Sequence, residues 1–83
     1  MQMGQRILKI IDLISDLPES DRNSLNELLE HDEWGVALET LCGALYEEEI
    51  NITKTIFEEI KAAGVEMELE SSLWESLEFL IPK

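Results

Sequence analysis

Apolar residues recur every three or four positions along almost the whole chain, and this period constrains the fold more than any other feature. Near the start, Met3, Ile7, Ile10, Ile14 and Leu17 follow this spacing. It places side chains on one face of an α-helix, whereas a half-buried strand requires alternation at every second residue. We therefore expect amphipathic helices that bury one face each.

Local signals divide this pattern into five helices. Pro18 should end the first and begin the second, because proline disfavours a helical residue before it and suits a helix start. The second helix is expected over about 19–30. The third is expected over about 33–48, with Asp32 as its N-cap.

The last two helices are predicted from capping residues. Thr53 should cap the fourth helix, and Gly64 should end it in the left-handed conformation that glycine favours. Residues 65–70 alternate apolar and polar side chains, and we interpret them as an extended connector. Ser72 and Glu75 have the spacing of a capping box, which predicts the start of the fifth helix.

The predicted fold class is all-α, a small bundle of about five helices. The chain has 83 residues, of which 45% are hydrophobic and 30% charged, and this suits one domain over residues 1–83. The apolar run near the N-terminus is interrupted by Lys9 and Asp12, unlike a signal peptide, and no stretch approaches the roughly 20 apolar residues of a membrane span. We expect a cytoplasmic protein.

The charge of the chain is strongly negative and unevenly distributed. It has 19 acidic and 6 basic residues, for a formal net charge of −13. Residues 1–22 carry four acids against three bases, so almost all of the excess lies in residues 23–83. Such a field repels nucleic acid and anionic membranes and attracts basic proteins. We expect a protein partner, with no binding to nucleic acid or membrane.

Side chains for catalysis are scarce. His31 is the only histidine and Cys42 the only cysteine. On one helix they would lie about 16 Å apart, too far for a nucleophile and its base. Cys42 falls among leucines, where a buried thiol is expected. We therefore predict no enzyme activity, no metal site and no cofactor.

Two functional interpretations remain open at this point, an acyl carrier domain and a general acidic adaptor. The stretch "NSLNELL", Asn23 to Leu29, resembles the modification site of acyl carrier proteins, in which a serine opens a helix. Asn23 stands where that family has aspartate. The resemblance would make Ser24 a phosphopantetheine attachment site. Alternatively, the chain could be a general acidic adaptor for some other basic protein.

Acidic residues gather at both ends of the third helix. Carboxylates at positions 30, 32 and 33 precede it, where the helix dipole favours negative charge. Those at 47, 48 and 49 follow it, where the dipole is negative and each should cost about a few tenths of a kcal/mol. The second group needs an explanation other than helix stability.

The order of segments from Leu25 to Ile81 resembles the MafI-type immunity proteins. An acidic turn is followed by "WGVALETLCGALYE", then by "INITKTIFEEIKAAG" and a terminal "LWESLEFLI". Such proteins are encoded beside bacterial polymorphic toxins, including those of contact-dependent growth inhibition systems. The resemblance implies a non-enzymatic protein that binds the C-terminal domain of a cognate toxin, often a basic RNase, and blocks it.

A nuclease presents positive charge to phosphates, so an acidic inhibitor can take their place. We therefore predict a toxin-binding site formed by the acid groups around the third helix, with Tyr46 as an aromatic anchor. Its residues are Glu30, His31, Asp32, Glu33, Glu39, Tyr46, Glu47, Glu48 and Glu49. Two competing acidic surfaces remain open as alternatives: Glu58 with Glu59, and Glu66 with Glu68 and Glu70. Exposed leucines on the first helix would permit a homodimer as well as a monomer.

Overall fold

The computed structural model describes residues 2–83 and confirms the all-α prediction. A short 3₁₀ helix, Glu78–Leu80, follows the last α-helix, and residues 2–83 contain no strand. No helix in this range is both long and apolar enough to cross a membrane. The α-helices are α1 (Met3–Leu13), α2 (Glu19–Glu30), α3 (Trp34–Glu47), α4 (Lys54–Glu66) and α5 (Ser72–Glu75).

The third helix is the centre of the bundle. It contacts α1, α2, α4 and α5, and α1 also packs against α4. Its inward face is formed by Ala37, Leu38, Leu41 and Leu45, none of which is accessible to solvent. Burying a leucine side chain contributes about 1.5–3 kcal/mol, so these residues hold the surrounding helices together.

The end of α1 is stabilised by a side chain from α2. The guanidinium of Arg22 donates hydrogen bonds to the carbonyl oxygens of Ile11, Ile14 and Leu17. The last carbonyls of a helix have no partner within it and carry partial negative charge, so a cation there is doubly favourable. Arg22 thereby fixes the turn between α1 and α2.

Several helix ends differ from the sequence expectation. Asp32 does not cap α3; it has φ 56° and closes α2, while its backbone N–H donates to Leu29 O. Glu33 occupies the N-cap of α3 without a side-chain hydrogen bond. Thr53 does cap α4, because its Oγ1 accepts from the N–H of Ile56 at 3.1 Å.

The expectation for Gly64 and the segment after it is also wrong. α4 continues through Gly64 to Glu66, and the left-handed residue is Glu68, at φ 59°. The fifth helix has only four residues, and Ser72 lies inside it without acting as a cap. The expected connector over 65–70 is therefore partly helix and partly turn.

Gly64 is required for packing. A Cβ built on it would lie 2.3 Å from Cζ3 of Trp74, a contact that no side chain at this position could tolerate without movement. Trp74 is buried and lies in α5, which contacts both α3 and α4. The missing side chain of Gly64 thus makes room for the indole ring.

The same substitution at two helical glycines should have opposite effects. Gly64→Ala should lower the free energy of unfolding by about 1–3 kcal/mol, because it overpacks the contact with Trp74. Gly43→Ala should raise it by about 1 kcal/mol, because nothing lies within 4 Å of that Cβ and alanine favours helix. Urea denaturation measures both, and equal shifts would contradict the packing role of Gly64.

Candidate functional site

The predicted binding residues lie on the surface in two groups. All nine are exposed. The group at 30–33 lies in the turn before α3, and the group at 46–49 lies at its other end. Because α3 has 14 residues, about 20 Å separates them. Glu39 lies between them on the helix, and the structure does not bring the two groups together.

The second group gains a member that the sequence analysis missed. α2 and α3 run antiparallel, which places Asp21 of the first turn of α2 against Glu48. We define the α3-end cluster as Asp21, Glu47, Glu48 and Glu49. The short turn predicted between the second and third helices was the signal that could have indicated Asp21, since it forces this antiparallel pairing.

The contact between Asp21 and Glu48 is unfavourable at neutral pH. It raises the pKa of Glu48 above its ordinary value, first because the Asp21 side chain hydrogen-bonds with the protonated carboxyl. Desolvation and the negative charge of Asp21 raise the pKa further. The two carboxylates therefore oppose each other whenever both are ionised.

The backbone at Glu49 is also strained. Its φ is 49°, in the left-handed region where glycine is usual and a Cβ crowds the backbone. The conformation lets the N–H of Ile50 donate to Leu45 O at 3.0 Å, which closes α3 and turns Ile50 into the core. The hydrogen bond that closes α3 is thus formed, although glutamate is not a residue type that favours the positive φ at position 49.

No base in the described part of the chain neutralises this cluster. Arg22, the basic residue next to Asp21, binds the carbonyls at the end of α1. Arg6 pairs with Glu66 at the other end of α1, and this is the only ion pair within residues 2–83. The α3-end cluster, with its three glutamates exposed and Asp21 half-buried, therefore has no counter-charge within residues 2–83.

Two exposed aromatic rings lie beside the cluster. Tyr46 is 52% exposed and Phe79 is 59% exposed. Their ring centroids are 5.8 Å apart and the rings meet edge to face at 84°. Phe79, in the 3₁₀ helix, was missed by the sequence analysis because its neighbours Leu77 and Leu80 carry the apolar period into the core. Exposed aromatic rings of this kind are typical of protein interfaces.

The first group borders a depression on the surface. It measures about 410 Å³ and lies between the start of α1 and the end of α2. Leu8, Glu30, Asp32 and Trp34 are among its lining residues. His31, which ends α2, is exposed beside it. Acidic and apolar groups therefore meet here as well, and Asp32 has a positive φ like that of Glu49.

Two side chains with chemical reactivity, Cys42 and Ser24, lie on α3 and α2. Cys42 is buried, and desolvation, followed by the charge of Glu39, raises its pKa to about 12, so the thiol stays protonated. No group of three or more potential metal ligands occurs within residues 2–83. Ser24 lies in the middle of α2 and does not open a helix, contrary to the expectation from the acyl carrier motif.

Comparison with known protein families, with curated proteins and with solved structures finds no match to this chain. A function must therefore be argued from its own residues.

Neutralising Glu48 should stabilise the fold in a pH-dependent way. The pKa of Glu48 is raised in the folded state, so the folded protein binds this proton more tightly than the unfolded chain does. The resulting stabilisation is fully present below the unfolded-state pKa and is lost as the pH rises through the folded-state pKa. Glu48→Gln stays neutral, so it should unfold at higher urea concentration than wild type near pH 7 and at a similar concentration near about pH 4. Glu47→Gln, the control, removes the same charge one residue away. An equal gain in both variants would contradict the specific contact with Asp21.

Relieving the backbone of Glu49 should also stabilise the protein. Glu49→Gly is expected to raise the free energy of unfolding by roughly 1 kcal/mol, because glycine adopts positive φ without crowding. Glu49→Ala removes the same charge but keeps the Cβ, so it should gain less. If alanine matched glycine in urea denaturation, the strain would not be in the backbone.

Proposed function

We propose that this chain is an immunity protein that binds and neutralises a basic toxin domain, with the α3-end cluster in the interface. The single observation that carries the proposal is that this cluster opposes folding in three separate ways. Its three glutamates lie at the negative end of the α3 dipole, Glu48 contacts Asp21, and Glu49 has positive φ. Residues that cost stability and face solvent are typical of functional sites.

The chemistry of the cluster selects a cationic partner. Four carboxylates without a counter-charge repel each other, and an arginine or lysine placed among them would relieve that repulsion as well as form new ion pairs. Arginine can bind a carboxylate through two parallel hydrogen bonds, which adds geometric selectivity. The free energy gained when a cationic side chain binds is therefore larger for this cluster than for an isolated exposed carboxylate.

A nuclease toxin fits these requirements. Its substrate-binding surface must be positively charged to hold phosphates, so carboxylates on an inhibitor can occupy the same positions. The complementary fields would also accelerate association, which matters when the toxin must be blocked before it cleaves its substrate. Tyr46 and Phe79 would supply apolar contact area beside the charges.

On this proposal the protein acts by binding alone, in the bacterial cytoplasm, as a monomer or a homodimer. Exposed Leu8 and Leu13 on α1 leave room for self-association away from the α3-end cluster. A general acidic adaptor would use the same charges. The two differ in whether the captured partner is an enzyme that the chain inhibits.

Affinity capture with inhibition tests the proposal. The tagged chain is incubated with lysate of its source cell at low salt, and retained proteins are identified by mass spectrometry. A basic protein that is released as salt rises, and whose nuclease activity the chain inhibits, is the expected result. Retention of biosynthetic enzymes together with a phosphopantetheine mass on Ser24 would instead support the acyl-carrier interpretation.

Charge reversal should weaken binding without unfolding the protein. Changing Glu47, Glu48 and Glu49 to lysine is expected to lower affinity for the captured partner by at least roughly tenfold, mostly through slower association. A control variant reverses two exposed carboxylates on α4, Glu58 and Glu59. Surface plasmon resonance gives both rates and circular dichroism reports helix content. Unchanged affinity in the triple variant would refute this site.

A further inference from the structure

Gly43 is an unexplained residue at the surface of the central helix. It lies in the middle of α3 and is exposed, and a Cβ built on it would have nothing within 4 Å. Glycine there costs about 1 kcal/mol relative to alanine. Gly64 makes room for Trp74, but no atom of residues 2–83 lies within 4 Å of a Cβ at Gly43.

Gly43 lies in a groove between α3 and α5. Two adjoining depressions of about 280 and 330 Å³ share Glu39, Ser72 and Leu73 as lining residues. The first includes Gly43 and Tyr46, and the second extends toward the end of α4. We call this continuous surface the α3–α5 groove. One of its ends joins the α3-end cluster through Glu47, which lines the groove.

The groove combines an apolar floor with an acidic rim. Leu73 and Cys42 line it, and so does Tyr46, one ring of the aromatic pair. Its carboxylates are Glu39, Glu47, Glu68 and Glu70, and no lysine or arginine lines either depression. A second copy of this chain, with a net charge of −13, would be repelled from this surface.

We propose that the α3–α5 groove binds a segment of the partner protein in which lysine or arginine residues flank an apolar residue. The apolar residue would contact Leu73, the cationic side chains would reach the rim, and the backbone of the segment would approach α3 at Gly43. Glycine permits such close approach because it has no side chain. The inference rests on the proposed function only for its claim that the partner is basic.

A synthetic peptide tests the groove independently of the toxin. The probe is a twelve-residue peptide with arginine at every fourth position and leucine and alanine between, and the control peptide has glutamate in place of arginine. Binding is measured by isothermal titration calorimetry in about 150 mM salt, where weak surface attraction is screened. NMR chemical shifts of the labelled protein map the site.

Two tryptophan substitutions on α3 separate the groove from the rest of the surface. Gly43→Trp fills the groove, whereas Val36→Trp places the same ring at an exposed position on the same helix outside it. We expect saturable binding of the arginine peptide, with shifts confined to the groove. Gly43→Trp should weaken it at least about tenfold and Val36→Trp less than about twofold. Circular dichroism verifies that both variants remain helical.

Three results would overturn the inference: no saturable binding, equal affinity in wild type and Gly43→Trp, or self-association of the protein that Gly43→Trp abolishes. Capture from lysate distinguishes this failure from that of the proposed function. If a basic nuclease is captured equally by wild type and Gly43→Trp, the immunity role stands and the groove is excluded. If the peptide binds as expected but no toxin is captured, the groove stands and the immunity role fails.

Discussion

Burial of α3 is the constraint on which the rest of the structure depends. Helices α1, α2, α4 and α5 all pack against it, and its inward face has no contact with solvent. The outward side of that helix and its two ends remain accessible to a partner. The α3-end cluster and the α3–α5 groove both lie on this accessible surface, on the helix against which the other four α-helices pack. A site on a well-packed helix holds its side chains in place before a partner arrives.

The end of α3 illustrates how stability and binding can oppose each other. Arg22, the base nearest to Asp21, stabilises the turn after α1 and leaves the acids of the cluster unpaired. A lysine at position 48 would suit both the helix dipole and Asp21, yet the chain has glutamate. Its free form thus retains repulsion that a basic partner would remove. This repulsion should make binding sensitive to salt and selective for cations.

Helix periodicity predicted the fold class, and it failed where contacts distant in sequence decide the local structure. The five buried residues of α3 are spaced at helical intervals, so their shared face could be predicted. Gly64 looked like a helix end because glycine often is one, but Trp74, ten residues later, needs the space that it leaves. Asp32 was assigned to the wrong helix because an aspartate suits both an N-cap and a left-handed turn.

The site could be predicted only in part, again because some of its contacts join residues that are distant in sequence. The acidic groups were visible in the sequence because charge does not depend on the fold. Asp21 and Phe79 were missed because each joins the site through packing of a separate helix against α3. Gly43 gave no signal, since only the structure shows that the space above it is empty.

The most direct test of the account measures stability and binding in one variant, with Glu47, Glu48 and Glu49 all changed to glutamine. If these carboxylates are kept for binding, the variant should have a higher free energy of unfolding than wild type in urea and should lose the basic partner that wild type captures from lysate. A variant that is less stable, or that captures the same partner equally well, would contradict the account. The first result would show that the acids stabilise the fold, and the second that the partner binds elsewhere.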